Sequence, residues 1–110
     1  MLEQKEFTVK SSDLTFRVGK VSPIEIIALR AILDFNDLDK TVKLITFILE
    51  RVEVNMSNSW YPVKEKGREI YSPVGIENSL QILDDIAKWF IKEIIIESFT
   101  QSNKSNQDAM

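Results

Sequence analysis

The sequence predicts an α+β fold: a β-hairpin, two helices, a second β-hairpin and a long C-terminal helix, with the helices packed on one face of the strands. Three observations predict it. Residues 7–18 alternate apolar and polar side chains around Ser11, Ser12 and Asp13; residues 22–25 read Ser-Pro-Ile-Glu, a helix start; and residues 76–99 repeat isoleucine, leucine and aromatic side chains at helical spacing. With 110 residues and 44% hydrophobic content the chain has material for one core, so a single domain is expected over residues 1–99. Residues 100–110, rich in Ser, Asn and Gln, are expected to form a disordered polar tail.

The first strand is expected over residues 7–10 and the second over 14–18, with Phe7 and Val9 on one side of the first and Leu14, Phe16 and Val18 on one side of the second. Lys10, Thr15 and Arg17 would then face water. Ser22 can accept a backbone N–H, Pro23 suits the first helical position and Glu25 completes a capping box, so a helix should run from Pro23 to Asp34. Its residues Ile24, Ile26, Ile27, Ala28, Leu29, Ala31, Ile32 and Leu33 cover nearly the whole circumference, which predicts burial on most sides.

Asn36 or Asp37 can cap a second helix, on which Leu38, Val42, Ile45, Ile48 and Leu49 recur and which should end near Arg51 or Val52. Residues 52–56 switch to a period of two; after residues 57–59 comes Trp60-Tyr61-Pro62-Val63, a second hairpin with proline on an edge strand. Residues 64–69 read as an exposed charged turn, and Pro73 with Gly75 breaks the chain before the last helix. On that helix Ile76, Leu80, Leu83, Ala87, Phe90 and Ile94 make one stripe, and Ile82, Ile86, Trp89 and Ile96 a second beside it. Ile91, Ile95 and Phe99 then carry apolar character around its C-terminal end.

The chain has no cysteine and no histidine, which removes disulfides, thiolate nucleophiles, imidazole bases and the usual zinc and haem ligand sets together. No enzyme activity, cofactor or metal is therefore expected. A net charge of -3 with both signs interspersed argues against a strong electrostatic hold on nucleic acid or anionic lipid. The first residues lack the basic-then-apolar pattern of a signal peptide, and no apolar run approaches the roughly 18 residues that span a bilayer. A cytosolic protein with protein partners is the expectation.

Several clusters admit a chemical reading and a plainer one. Asp34, Asp37 and Asp39 could converge on a hard cation, but EF-hand spacing and its central glycine are missing, and helix capping accounts for them. Asp84 and Asp85 are adjacent, about 100° apart on a helix, and cannot act alone as an acid/base pair. Lys64, Lys66 and Arg68 beside Trp60 and Tyr61 could touch phosphates and stack on bases; Glu65 and Glu69 dilute that charge, and a solvated hairpin tip is the plainer reading. The residues assigned to protein binding are Trp60, Trp89, Ile91, Ile95, Ile96 and Phe99, because aromatic anchors and surplus apolar surface are what interfaces use. Their plainer reading is core packing, beneath the second hairpin for Trp60.

Residues 16–23 (Phe-Arg-Val-Gly-Lys-Val-Ser-Pro), the Leu33-Asp34-Phe35 helix end, Trp60-Tyr61-Pro62-Val63-Lys64 and Pro73-Val74-Gly75-Ile76-Glu77 together span most of residues 14–99. Over this stretch the chain resembles the tail assembly chaperones encoded by bacteriophages and prophages of Gram-positive hosts. The resemblance implies a non-catalytic protein of the host-cell cytoplasm that binds the long, largely helical tape-measure protein, keeps it soluble and assists tail-tube assembly. It implies no residue roles. A stoichiometric structural subunit of the phage particle (tail or head completion) and a small inhibitor or adaptor of a host protein are the alternatives, and self-association into a homo-oligomer is a further expected contact.

Overall fold

The computed structural model describes residues 5–35, 37–72 and 76–100. Its elements in chain order are β1 (Lys5–Phe7), β2 (Phe16–Val18), α1 (Pro23–Asp34), α2 (Leu38–Arg51), β3 (Val52–Met56), β4 (Ser59–Pro62) and α3 (Ile76–Phe90), with a π-helical segment at Ile91–Ile96 and α geometry again over residues 97–100. The fold is α+β, as the alternating and helical periodicities predict. The two hairpins do not stay separate: β2 pairs with β3, so all four strands form one antiparallel sheet in the order β1-β2-β3-β4. The α1–α2 hairpin is an excursion between two strands that are neighbours. Gly19 N–H donates to the Arg51 carbonyl where the chain leaves and returns, at 3.2 Å.

Local chemistry sets the boundaries. Ser22 Oγ accepts from Glu25 N–H while a Glu25 carboxylate oxygen accepts from Ser22 N–H, a complete capping box that starts α1. Asp37 caps α2 by accepting from Lys40 N–H. Ser57 and Asn58 both take positive φ, 54° and 68°, and Met56 faces Ser59, so β3 and β4 are joined by a two-residue turn of the type that matches strand twist. Pro62 lies on β4, at the sheet's edge. The first hairpin pairs earlier and for less length than its alternation predicts: Phe7 faces Phe16, leaving residues 8–15 as a loop. Ser11 in that loop donates to Asp85 on α3 at 2.6 Å, which ties the loop to the helix layer. The expected polar tail and the Pro73/Gly75 break lie outside the described residues, as does Asn36.

One sheet face is apolar and covered. Phe7, Phe16, Val18, Val52 and Val54 are buried there with Leu44 and Ile48 of α2 and Ile82, Ile86, Phe90, Ile94 and Ile95 of α3 and its π-helical continuation. The other face carries Arg17, Glu53, Asn55 and Trp60, alternating with the buried set as the pleat requires. None of the helices among the described residues is long and apolar enough to cross a membrane.

Candidate functional site

The six side chains that sequence assigns to protein binding do not form one surface. Ile95 is fully buried at 0% exposure, and this corrects its assignment as a contact residue. The cause is the π-helical segment. In α geometry residue 95 lies about 140° around the axis from residue 90; the wider turn bonds residues five apart, as Glu97 N–H to the Lys92 carbonyl shows, and carries Ile95 to the side of Ile94 and Phe90. Ile91 and Phe99 are partly buried against the same core, and Arg30 of α1 lies over the Phe99 ring at 5.9 Å. Ile96 alone of the four projects, 44% exposed.

Trp89 is engaged inside the fold. Its indole stacks on Phe7 with centroids 3.7 Å apart and planes 6° from parallel, and Lys5 Nζ lies 5.6 Å from the same ring. This stack fastens α3 to the edge strand β1. Trp60, by contrast, is not beneath the hairpin. It pairs across the strands with Asn55 on the uncovered sheet face, half-buried, with the Arg17 guanidinium 4.2 Å from its ring. Arg17 Nε also donates to Glu53 at 2.7 Å, so arginine, glutamate and tryptophan make a fixed polar-aromatic cluster on that face.

The surplus apolar surface lies instead on the α1–α2 hairpin. Burial of α1 on most sides does not occur: only Ile26 and Leu29 are buried. Ile24, Ile27, Ala28 and Ala31, spaced i, i+3, i+4 and i+7, form one exposed stripe, and Phe35, Leu38 and Val42 continue it around the connection. Ile24 is 78% and Leu38 77% exposed. Every described residue between 34 and 43 is exposed, so the tip of the hairpin stands clear of the core. A signal for this was present in the sequence: Ala28 and Ala31, the smallest apolar residues of α1, share a face, whereas the core-facing positions hold Ile26, Leu29 and Leu33. Among the described residues, the three-helix layer on the four-stranded sheet has no element that covers the second side of α1.

The charged groups nearby are occupied structurally. At the root of the hairpin Arg51 pairs with Glu25 at 2.8 Å, and the Ser22 backbone N–H, followed by Arg51, holds the Glu25 carboxyl below its ordinary range. Arg30 pairs with Asp34 at 2.8 Å, and Lys40 sits 3.7 Å from the Phe35 ring. The turn of residues 64–69 is not simply a solvated tip. Lys64 is buried, donating to Glu50 at 3.0 Å and to the Glu65 carbonyl, and is therefore withheld from any phosphate. Gly67, at φ 74°, gives Glu50 a second donor from its backbone N–H at 3.0 Å, and this bond above all lowers the Glu50 pKa. Sequence reasoning missed this lock because Glu50 precedes Lys64 by fourteen residues.

Carboxylates that could have been read chemically are also engaged. Asp84 pairs with Lys88 at 2.7 Å; Asp85 accepts from Ser11 and from Gln81, and the Ser11 hydroxyl does most to lower its pKa. No protein-family model matches the chain, no curated protein matches it, and no solved structure matches it.

Proposed function

We propose that this protein is a non-catalytic phage tail assembly chaperone of the host-cell cytoplasm, which binds the tape-measure protein and assists tail-tube assembly. The observation that carries the binding role is the exposed apolar face of the α1–α2 hairpin, from Ile24 to Val42. A stripe at i, i+3, i+4 and i+7 can lie along the apolar side of another chain's amphipathic helix and keep both dry. The tape-measure partner follows from the likeness of residues 14–99 to tail assembly chaperones. The absence of cysteine and histidine and the structural engagement of Asp84, Asp85, Glu50 and Lys64 support a role without catalysis.

The test is co-expression with the long helical tail protein encoded beside this chain's own gene. The soluble yield of that partner should rise several-fold with the native chain and fall back with the double variant Ile24→Glu/Ile27→Glu. Equal yields with and without this chain would sink the reading. Finding the chain at stoichiometric level in mature particles would move it to the structural subunits.

A further inference from the structure

We infer that the π turn is a register device: α3 and its continuation carry one isoleucine more than an α-helix can seat there, and the wide turn absorbs it, keeping the Glu97 carboxylate off the core and delivering Phe99 to α1.

The buried line along α3 is the first argument. Ile82, Ile86 and Phe90 recur every four residues at 8%, 0% and 0% exposure. Continued in α geometry, that line would next take Ile94, about 40° from Phe90, and then Glu97, about 20° from it. A carboxylate would have to give up water there. Phe99 would lie about 180° from Phe90, on the side away from the core. The structure shows neither outcome: Glu97 is only partly buried, and Phe99 packs against the core with Arg30 of α1 over its ring.

Hydrogen bonding is the second. A π turn bonds residues five apart where an α turn bonds residues four apart, so it holds one residue in excess and sets everything after it back by about 100°. Glu97 N–H donates to the Lys92 carbonyl, and residues 97–100 then resume α geometry. With that rotation Ser98 falls where Glu97 would have stood, and Phe99 lies about 80° from Phe90. Ser98 Oγ donates to the Ile94 carbonyl, so the group that takes the place of the carboxylate is a hydroxyl already satisfied within its own helix.

The sequence supplies the third. Ile94, Ile95 and Ile96 are identical, so removing any one of them gives the same chain. In that shorter chain Lys92 and Glu97 stand four apart, and the bond they make across the π turn becomes an ordinary α-helical bond. What the extra residue adds is packing: Ile94 and Ile95 enter the core together, where an α turn would admit one. Because α1 packs on the π-helical segment, the register of this triplet also sets the seat of α1.

The experiment uses the full chain without client, so its failure is distinct from failure of the chaperone reading. Deletion of Ile96 should leave a cooperative circular-dichroism melt at or above that of Ile95→Ala, since each loses one buried isoleucine and only the substitution leaves a hole. Phe99→Ala should lower the melting temperature by the same amount in the native and the shortened chain, because the ring keeps its seat. Insertion of a fourth isoleucine after Ile96 should lower the melt further than the deletion does, because it turns Glu97 and Phe99 past their places. A shortened chain that melts below Ile95→Ala or does not fold, one in which Phe99→Ala has no effect, or an insertion tolerated as well as the deletion would overturn the inference. In the native chain, NMR couplings across hydrogen bonds should join Glu97 N–H to the Lys92 carbonyl; a coupling to Glu93 instead would remove the π turn itself.

Discussion

α1 and the C-terminal continuation of α3 are made of nearly the same material. The first reads Pro-Ile-Glu-Ile-Ile-Ala-Leu-Arg-Ala-Ile-Leu-Asp, the second Ile-Lys-Glu-Ile-Ile-Ile, each with isoleucines on more than one side and few charges. One is wet over half its circumference; the other packs Ile94 and Ile95 together into the core. Apolar content therefore does not decide burial. Position in the layer does: the end of α3 has α1 beside it and the sheet beneath, and its π turn widens the buried arc, whereas the outer side of α1 faces no further element among the described residues. Surplus apolar residues at the first place become core, and at the second become surface.

The contrast can be broken most sharply at Ile95. Ile95→Glu puts an unpaired carboxylate into the core and should cost more than about 4 kcal/mol, abolishing the cooperative thermal transition; a native-like melt would mean that this end of the helix is surface after all. Ile95→Ala should cost about 3 kcal/mol by the same measurement.

Acid should act next, through the root of the hairpin. Glu25 and Glu50 are held below their ordinary pKa by backbone N–H groups of Ser22 and Gly67, so the folded state favours their charged forms. The stability they add is full above the ordinary glutamate range, about pH 4 to 5, and is lost as pH falls through and below it. Melting temperature should stay level near neutrality and then drop, and Glu25→Gln with Glu50→Gln should flatten the drop; an unchanged acid limb would remove both groups from the account. Ser22→Ala, which takes one side of the capping box from α1, should cost about 1 kcal/mol in chemical denaturation. The smallest effect belongs to the open face: Ile27→Glu should change stability by less than about 0.5 kcal/mol, and a loss several times larger would show that α1 is covered in the monomer.

Much of the fold was legible because its signals are local. Ser22, Pro23 and Glu25 fix the start of α1 within one turn of chain, and Ser57-Asn58 between two alternating runs fixes the second hairpin. What depended on distant partners was not. The first hairpin stops pairing at Phe7 and Phe16 while Ser11 is bonded to Asp85, seventy-four residues away. Lys64 looks like a surface lysine until Glu50 is brought over it. The candidate site was displaced for a related reason. Periodicity tells which residues share a face, and it marked α1 as apolar nearly all round, but how many faces find a neighbour is a property of the assembled layers. The π turn has no counterpart in the sequence pattern, and it is what turned Ile95 inward.

The excursion that carries α1 and α2 begins and ends at one point. α2 alone is about 20 Å long; the described residues of its far end are exposed, while its near end runs directly into β3, with Gly19 and Arg51 bonded across the stem. α1 packs on the π-helical segment and α2 on α3, so only the tip of the excursion stands clear, and its stem lies in the middle of the sheet rather than at a rim. Occupancy of the tip should tighten the stem as well, an expected outcome read as slowed amide exchange at Gly19, whose N–H is bonded to the Arg51 carbonyl.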